Sequence, residues 1–152
     1  MSSEWFEVRK LSTQDVSEIL LIQAESNLSY WSEESYKEEA IRADTLSFVA
    51  INKYETVGFI VARILQSESH NEVEIYNFGV LKKYQKLGVG SKLLQKLFTK
   101  LGEKKSIIWL EVRKSNIKAL NFYEKYNFEK IGTRKNFFSN PTEDAILMKC
   151  EI

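Results

Sequence analysis

Cys150 is the sole cysteine and His70 the sole histidine in 152 residues, which excludes an intramolecular disulfide and a Cys/His zinc cluster by count alone. Pro141 is the only proline, and no repeat, low-complexity segment or Pro/Gly/Ser-rich linker divides the chain. No apolar run approaches the roughly 20 residues of a membrane span. The opening MSSEWFEVRK has no apolar signal-peptide core. The expectation is one domain, residues 1–152, cytoplasmic, with no metal and no membrane partner. Its chemistry must come from carboxylates, hydroxyls, amines and backbone.

Charge is scarce only in sum. The net value is +1, yet residues 1–76 hold 14 Asp/Glu against 6 Lys/Arg, and residues 77–152 hold 7 against 16. A basic half suits a phosphate-bearing ligand and an acidic half a cationic one; solvated faces are the plainer reading of both.

Hydrophobic periodicity gives the elements. Glu4 to Leu11 reads as a strand. Ser12 and Asp15 form a capping box for a helix carrying Val16, Ile19, Leu20 and Ala24, and a short helix starts at Ser32 after Trp31. Leu46 to Asn52, Val57 to Leu65 and Val73 to Leu81 are strand-like, the first two joined as an antiparallel hairpin around Tyr54 to Thr56. Leu93, Leu94, Leu97, Phe98 and Leu101 make a helical stripe that stops at Gly102. A strand over Ser106 to Val112, a helix capped by Ser115, and strands over Phe128 to Arg134 and Ala145 to Cys150 complete the order β, α, α, β, β, β, α, β, α, β, β. That order is α+β, a mixed and mostly antiparallel sheet of about seven strands with about four helices.

Between the strand ending near Leu81 and the helix of Leu93 to Leu101 stands YQKLGVGSKLL, with glycines at 88 and 90. A glycine in a helix costs up to about 1 kcal/mol relative to alanine, so two at a helix start need an offsetting role. Backbone N–H groups and the positive end of the helix face one point there, a geometry that binds phosphate, and glycines let a ligand approach the backbone. A tight strand-to-helix turn is the competing reading. A P-loop would need Lys after Gly90, where Ser91 stands. A Rossmann fingerprint would need a small residue at Leu93 and would open its domain.

Gln85-Lys86-Leu87-Gly88-Val89-Gly90 resembles the Q/R-x-x-G-x-G/A acetyl-coenzyme A loop of the GNAT N-acetyltransferases. WSEESY from Trp31, WLEVRKSN from Trp109, and TRKNFF from Thr133 with Glu143-Asp144-Ala145 are similar to the ribosomal-protein alanine N-acetyltransferase branch, almost along the whole chain. The resemblance implies an enzyme that moves acetyl from acetyl-CoA to the N-terminal α-amine of a small ribosomal subunit protein, S18 in bacteria, by direct attack in a ternary complex. It implies no direct nucleic-acid partner. On it rests a cofactor site of Val80, Gln85, Lys86, Leu87, Gly88, Val89, Gly90, Ser91 and Asn116, the last on the pantetheine arm. Trp31, Phe137 and Phe138 are the candidate substrate walls; the family often has tyrosines at the last two positions.

Acyl transfer to an amine needs a base to make the amine neutral and an acid to protonate the departing thiolate. Glu111 lies in an otherwise apolar strand, where a carboxyl is pushed up and becomes a better base near neutral pH. A surface glutamate at a strand end is the alternative; the resemblance makes it the family's base. Tyr123 shares a helical face with Ala119, Phe122 and Tyr126. It reads as a core tyrosine or, by the resemblance, as the acid toward sulfur. Two other functions stay open: acetylation of another amine (polyamine, antibiotic or lysine), and an acyl-CoA-binding module without turnover.

Overall fold

Asp15 accepts from the Ser12 amide at 2.8 Å and from both terminal nitrogens of Arg9 at 2.8 and 2.9 Å, so the capping-box signal is a real chain reversal. Burial opposes the charge there, but the Arg9 hydrogen bond and the backbone bond hold the Asp15 carboxyl below its ordinary value. A short 3-10 turn, Thr13–Asp15, leads into helix α1, Val16–Glu25. The computed structural model describes residues 5–26 and 28–152, so the expected strand start at Glu4 lies outside the described residues.

The remaining elements are β1 (Glu7–Lys10), α2 (Glu33–Ala40), β2 (Phe48–Ile51), β3 (Thr56–Gln66), β4 (Asn71–Val80), α3 (Val89–Leu101), β5 (Ser106–Arg113), α4 (Ile117–Lys125), β6 (Glu129–Phe138) and β7 (Glu143–Glu151). They make a seven-stranded, mostly antiparallel sheet with four helices, as the patterning predicts. Their packing divides into two compact units, one reaching to Arg63 and including Tyr76–Gly102, the other of Ile64–Ile75 and Glu103–Ile152. β3 and β4 run through both.

In the first unit β1 pairs antiparallel with β2, and β2 with β3, with a bulge between Ala50 and Ile51. Ile19 and Ile22 of α1, Tyr36 of α2, Val49 and Phe59 form its buried core. α3 buries Leu93, Leu94, Leu97 and Leu101 of the predicted stripe together with Val89, while Phe98 of that stripe is half-buried, and it ends on Gly102 at φ 69°, a left-handed stop that glycine adopts without a Cβ penalty.

In the second unit β4 pairs parallel with β5 from Asn71↔Ser106 to Ile75↔Leu110, and β7 lies antiparallel to both β5 and β6. Ile108, Leu110 and Val112 of β5 join Leu120, Phe128, Ala145 and Met148 in its core. Cys150 is buried there, as expected, its Sγ donating to the Tyr126 carbonyl at 3.5 Å. One cap differs from the sequence reading. Asn116, not Ser115, caps α4: Asn116 Oδ1 accepts from the Ala119 amide at 3.1 Å, while the Ser115 amide donates to Glu143 Oε2 at 2.6 Å.

Candidate active site

In the first unit, β4 is followed by a 3-10 turn, Lys82–Tyr84, and the chain then enters α3 through Gln85 to Gly88. Gln85 Nε2 donates back to the Val80 carbonyl at 3.0 Å, tying the loop to the strand end. Lys86 at φ 63° and Gly88 at φ 90° turn the backbone left-handed. Gly88 is therefore required by conformation; a Cβ built on it meets nothing within 4 Å, so the space over it is open to a ligand. Lys92 makes the first helical bond, to the Gly88 carbonyl at 3.1 Å. The amides of Val89, Gly90 and Ser91 precede it and have no acceptor one turn back within the helix. Val89 is buried, Gly90 and Ser91 are half-buried, and Lys86, Leu87 and Gly88 are exposed. Of the neighbouring lysines, Lys83 is spent on Glu55 at 3.0 Å, where Tyr84 also donates at 2.7 Å. These features fit a diphosphate laid across a helix start.

The same unit holds Trp31. Its amide donates to Gln23 Oε1 at 3.0 Å and its carbonyl accepts from Gln23 Nε2 at 2.9 Å, so one buried side chain holds both main-chain polar groups of Trp31. Tyr36 donates to the same Oε1 at 2.6 Å, and Asn77 Nδ2 donates to Tyr36 at 2.9 Å and to the Ser29 carbonyl at 2.9 Å. Tyr36, fully buried, has its hydroxyl pushed up by burial. The Trp31 ring leans on Tyr36 and Tyr76 at 5.3 and 5.9 Å. Sequence reading finds Trp31 but not Gln23 or Asn77, whose partners lie far along the chain.

In the second unit, Glu111 sits one residue past the last β4 partner of β5 and opposite Leu147 of β7. Alternation along the strand turns its sequence neighbours Leu110 and Val112 to the other face. Its side chain is 14% exposed, and burial raises the carboxyl above its ordinary value. Arg134 Nε, 3.2 Å from Oε2, pulls the other way, and Glu74 adds a smaller push upward. Oε2 has no hydrogen-bond partner of proper geometry.

α4 brings Tyr123, buried, with its hydroxyl pushed well above the ordinary range by burial. Phe122 and Phe128 pack on its ring at 5.5 and 5.3 Å. Asn116 spends its Oδ1 on the α4 cap, a use that leaves its amide donors out of the capping bond.

Phe137 and Phe138 differ. Phe137 is 45% exposed and Phe138 8%. Over Phe138 lies the guanidinium of Arg113 at 4.7 Å, a side chain 4% exposed that donates to the carbonyls of Ser139 and Pro141 at 2.8 and 2.9 Å and pairs with Glu143 at 3.2 Å. Arg113 thereby holds the turn between β6 and β7 to the end of the strand carrying Glu111. A strand-end arginine reads as solvated in the sequence, so nothing there marks this role.

The chain belongs to the acetyltransferase (GNAT) family, acetyl-CoA-dependent N-acetyltransferases, whose profile matches residues 13–128. It is 30% identical over 147 residues to the [ribosomal protein bS18]-alanine N-acetyltransferase of Haemophilus influenzae, covering 94% of this chain and 97% of that protein. The crystal structure of the ribosomal-protein-S18-alanine N-acetyltransferase from Escherichia coli, 27% identical, matches with a TM-score of 0.82 over 97% of this chain and 94% of that one. Arabidopsis thaliana NAA60 in complex with acetyl-CoA shares the fold at a TM-score of 0.83 and 18% identity, over 97% and 98% of the two chains. No helix among the described residues is long and apolar enough to cross a membrane, and no cluster among them suits a metal.

Proposed function

We propose that this protein acetylates the N-terminal α-amine, alanine first, of a basic S18-like ribosomal protein in the cytoplasm. The observation that carries the chemistry is the carboxyl of Glu111 on β5, which burial raises above its ordinary value and so makes a better base. Full-length similarity to proteins named for alanine acetylation of bS18 supports the choice of substrate.

Acetyl-CoA supplies an acetyl group activated as a thioester. Val80, Gln85, Lys86, Leu87 and the amides of Gly88 to Ser91 would hold its diphosphate, and Asn116 its pantetheine arm. Glu111 would take a proton from the incoming ammonium; the neutral amine would form the new C–N bond as the C–S bond breaks, and the second nitrogen proton would pass to solvent. Tyr123, kept protonated by burial, gives its hydroxyl proton to the departing sulfur. Trp31 in the first unit and Phe137 and Phe138 in the second are the candidate contacts for the peptide.

Proton arithmetic favours a chain end. At pH 7 an α-amine is roughly 10–17% neutral and a lysine roughly 0.04%, so a single modest base has far less to do with the former. Mass spectrometry of a peptide beginning with alanine and containing internal lysine tests the reading. Acetyl on the α-amine, lost when that amine is blocked, is expected; acetyl on the internal lysine with a free N-terminus would overturn it.

A further inference from the structure

Beside Trp31 in the first unit lies a cavity of about 490 Å³, lined by Tyr30, Glu38, Glu39, Arg42 and Arg63 among others. Two arginines in a cavity suggest an anion site at first sight. Both are committed. Arg42 makes a two-point bond with Asp44 at 2.7 and 2.8 Å. Arg63 grips Glu39 Oε1 through Nε at 2.9 Å and through a terminal nitrogen at 2.7 Å, with its guanidinium 4.9 Å from the Tyr76 ring.

What is left over is acceptor. Glu39 is fully buried, yet its Oε2 has no hydrogen-bond partner, a costly state for a carboxylate oxygen. Glu38, the next residue on α2 and exposed at the rim of the cavity, is paired with no cation among the described residues. The aromatic residues Tyr30 and Trp31, with Ser32 and Ser35, complete the lining, and the Gln23 bonds fix the Trp31 backbone. Surplus carboxylate oxygen beside aromatic rings fits a flat or compact cation with N–H donors and repels an anion.

We propose that this cavity is a subsite for a cationic side chain, arginine or lysine, of the peptide substrate, downstream of the residue that is acetylated. The proposal rests on the N-terminal peptide reading above, since Trp31, a candidate contact for the peptide in that reading, is also a wall of the cavity. The subsite turns the acidic N-terminal half into a selector for basic chains and gives α2, otherwise a helix of glutamates, a ligand.

The experiment compares alanine-headed peptides carrying one arginine, moved through the second to sixth positions, with the same peptides carrying the neutral isostere citrulline. At one position arginine should be favoured in kcat/KM by about tenfold, as expected for a cation between an aromatic face and a carboxylate. Glu38→Gln should shrink that ratio below about threefold, and Glu33→Gln, outside the cavity on the same helix, should leave it intact. Equal rates for arginine and citrulline at every position, with normal α-amine acetylation, would overturn the subsite and leave the N-terminal reading standing. A preference unchanged by Glu38→Gln would likewise overturn it. Absence of α-amine acetylation from all these peptides would overturn both.

Discussion

Arg134 Nε stands 3.2 Å from Glu111 Oε2, yet burial outweighs this neighbour and the carboxyl remains above its ordinary value. A carboxyl raised by the fold favours folding fully below its unfolded value, and that contribution is lost as pH rises through the folded value. A charged Glu111 is thus a cost of the fold. Glu111→Gln should lower kcat by about 10²–10⁴-fold, with partial recovery at higher pH as more amine is already neutral. Its melting temperature at pH 7 should equal or exceed the wild type's, and the gap in its favour should widen from acid to neutral pH. A variant less stable at pH 7 than at pH 4, relative to wild type, would reverse the sign of this argument.

Tyr123 is buried and its hydroxyl holds its proton across the working range. Tyr123→Phe keeps the packing on Phe122 and Phe128, so turnover should fall by about 10²-fold or more while acetyl-CoA affinity by calorimetry stays nearly unchanged. An effect on turnover under about threefold would remove Tyr123 from the chemistry.

The two loop glycines should fail in different ways. Gly88→Ala meets no neighbour but must adopt φ 90°, a cost of roughly 1–2 kcal/mol visible as a lower urea midpoint. Gly88→Asn should cost less, since asparagine tolerates the left-handed region. Gly90 is already helical, so Gly90→Val should fold, and it should weaken acetyl-CoA binding greatly if the diphosphate lies on this backbone. Unchanged cofactor affinity in folded Gly90→Val would remove the cradle.

Arg113 should matter to stability more than its place at a strand end suggests. Arg113→Met strips the Ser139 and Pro141 carbonyls of donors and leaves Glu143 half-paired, and should lower the midpoint of chemical unfolding. Arg113→Lys keeps the charge beside Glu143 but cannot fork to two carbonyls, and should fall between.

The sequence carries much of this architecture because its signals are local. The α3 stripe from Val89 to Leu101, the Ser12–Asp15 reversal and the glycine stop at 102 depend on residues within a turn of each other, and all appear where the pattern puts them. Strand ends are less legible. β6 continues past the expected Arg134 to Phe138 through exposed residues that show no alternation, crossing a break in register before Phe138 pairs with Glu143 of β7. Ser115 and Asn116 are both good capping residues, and only Glu143, distant in sequence, decides between them by taking the Ser115 amide. The same holds at the site. Glu111 stands out by its place in an apolar strand and Tyr123 only by the family resemblance, whereas Gln23, Asn77 and Arg113 act through partners up to 48 residues away and look like ordinary polar side chains in the string of letters.

The buried thiol of Cys150 makes the protein a quiet background for its own assay. Burial pushes that thiol up, and it is 2% exposed with its Sγ turned to a backbone carbonyl, so a thiol-reactive dye sees only the sulfur of released coenzyme A while the fold is intact. Opening the second unit would add one protein thiol per molecule to the signal. A single reagent therefore counts turnovers in the native state and, in denaturant without substrate, reports the chain's own unfolding.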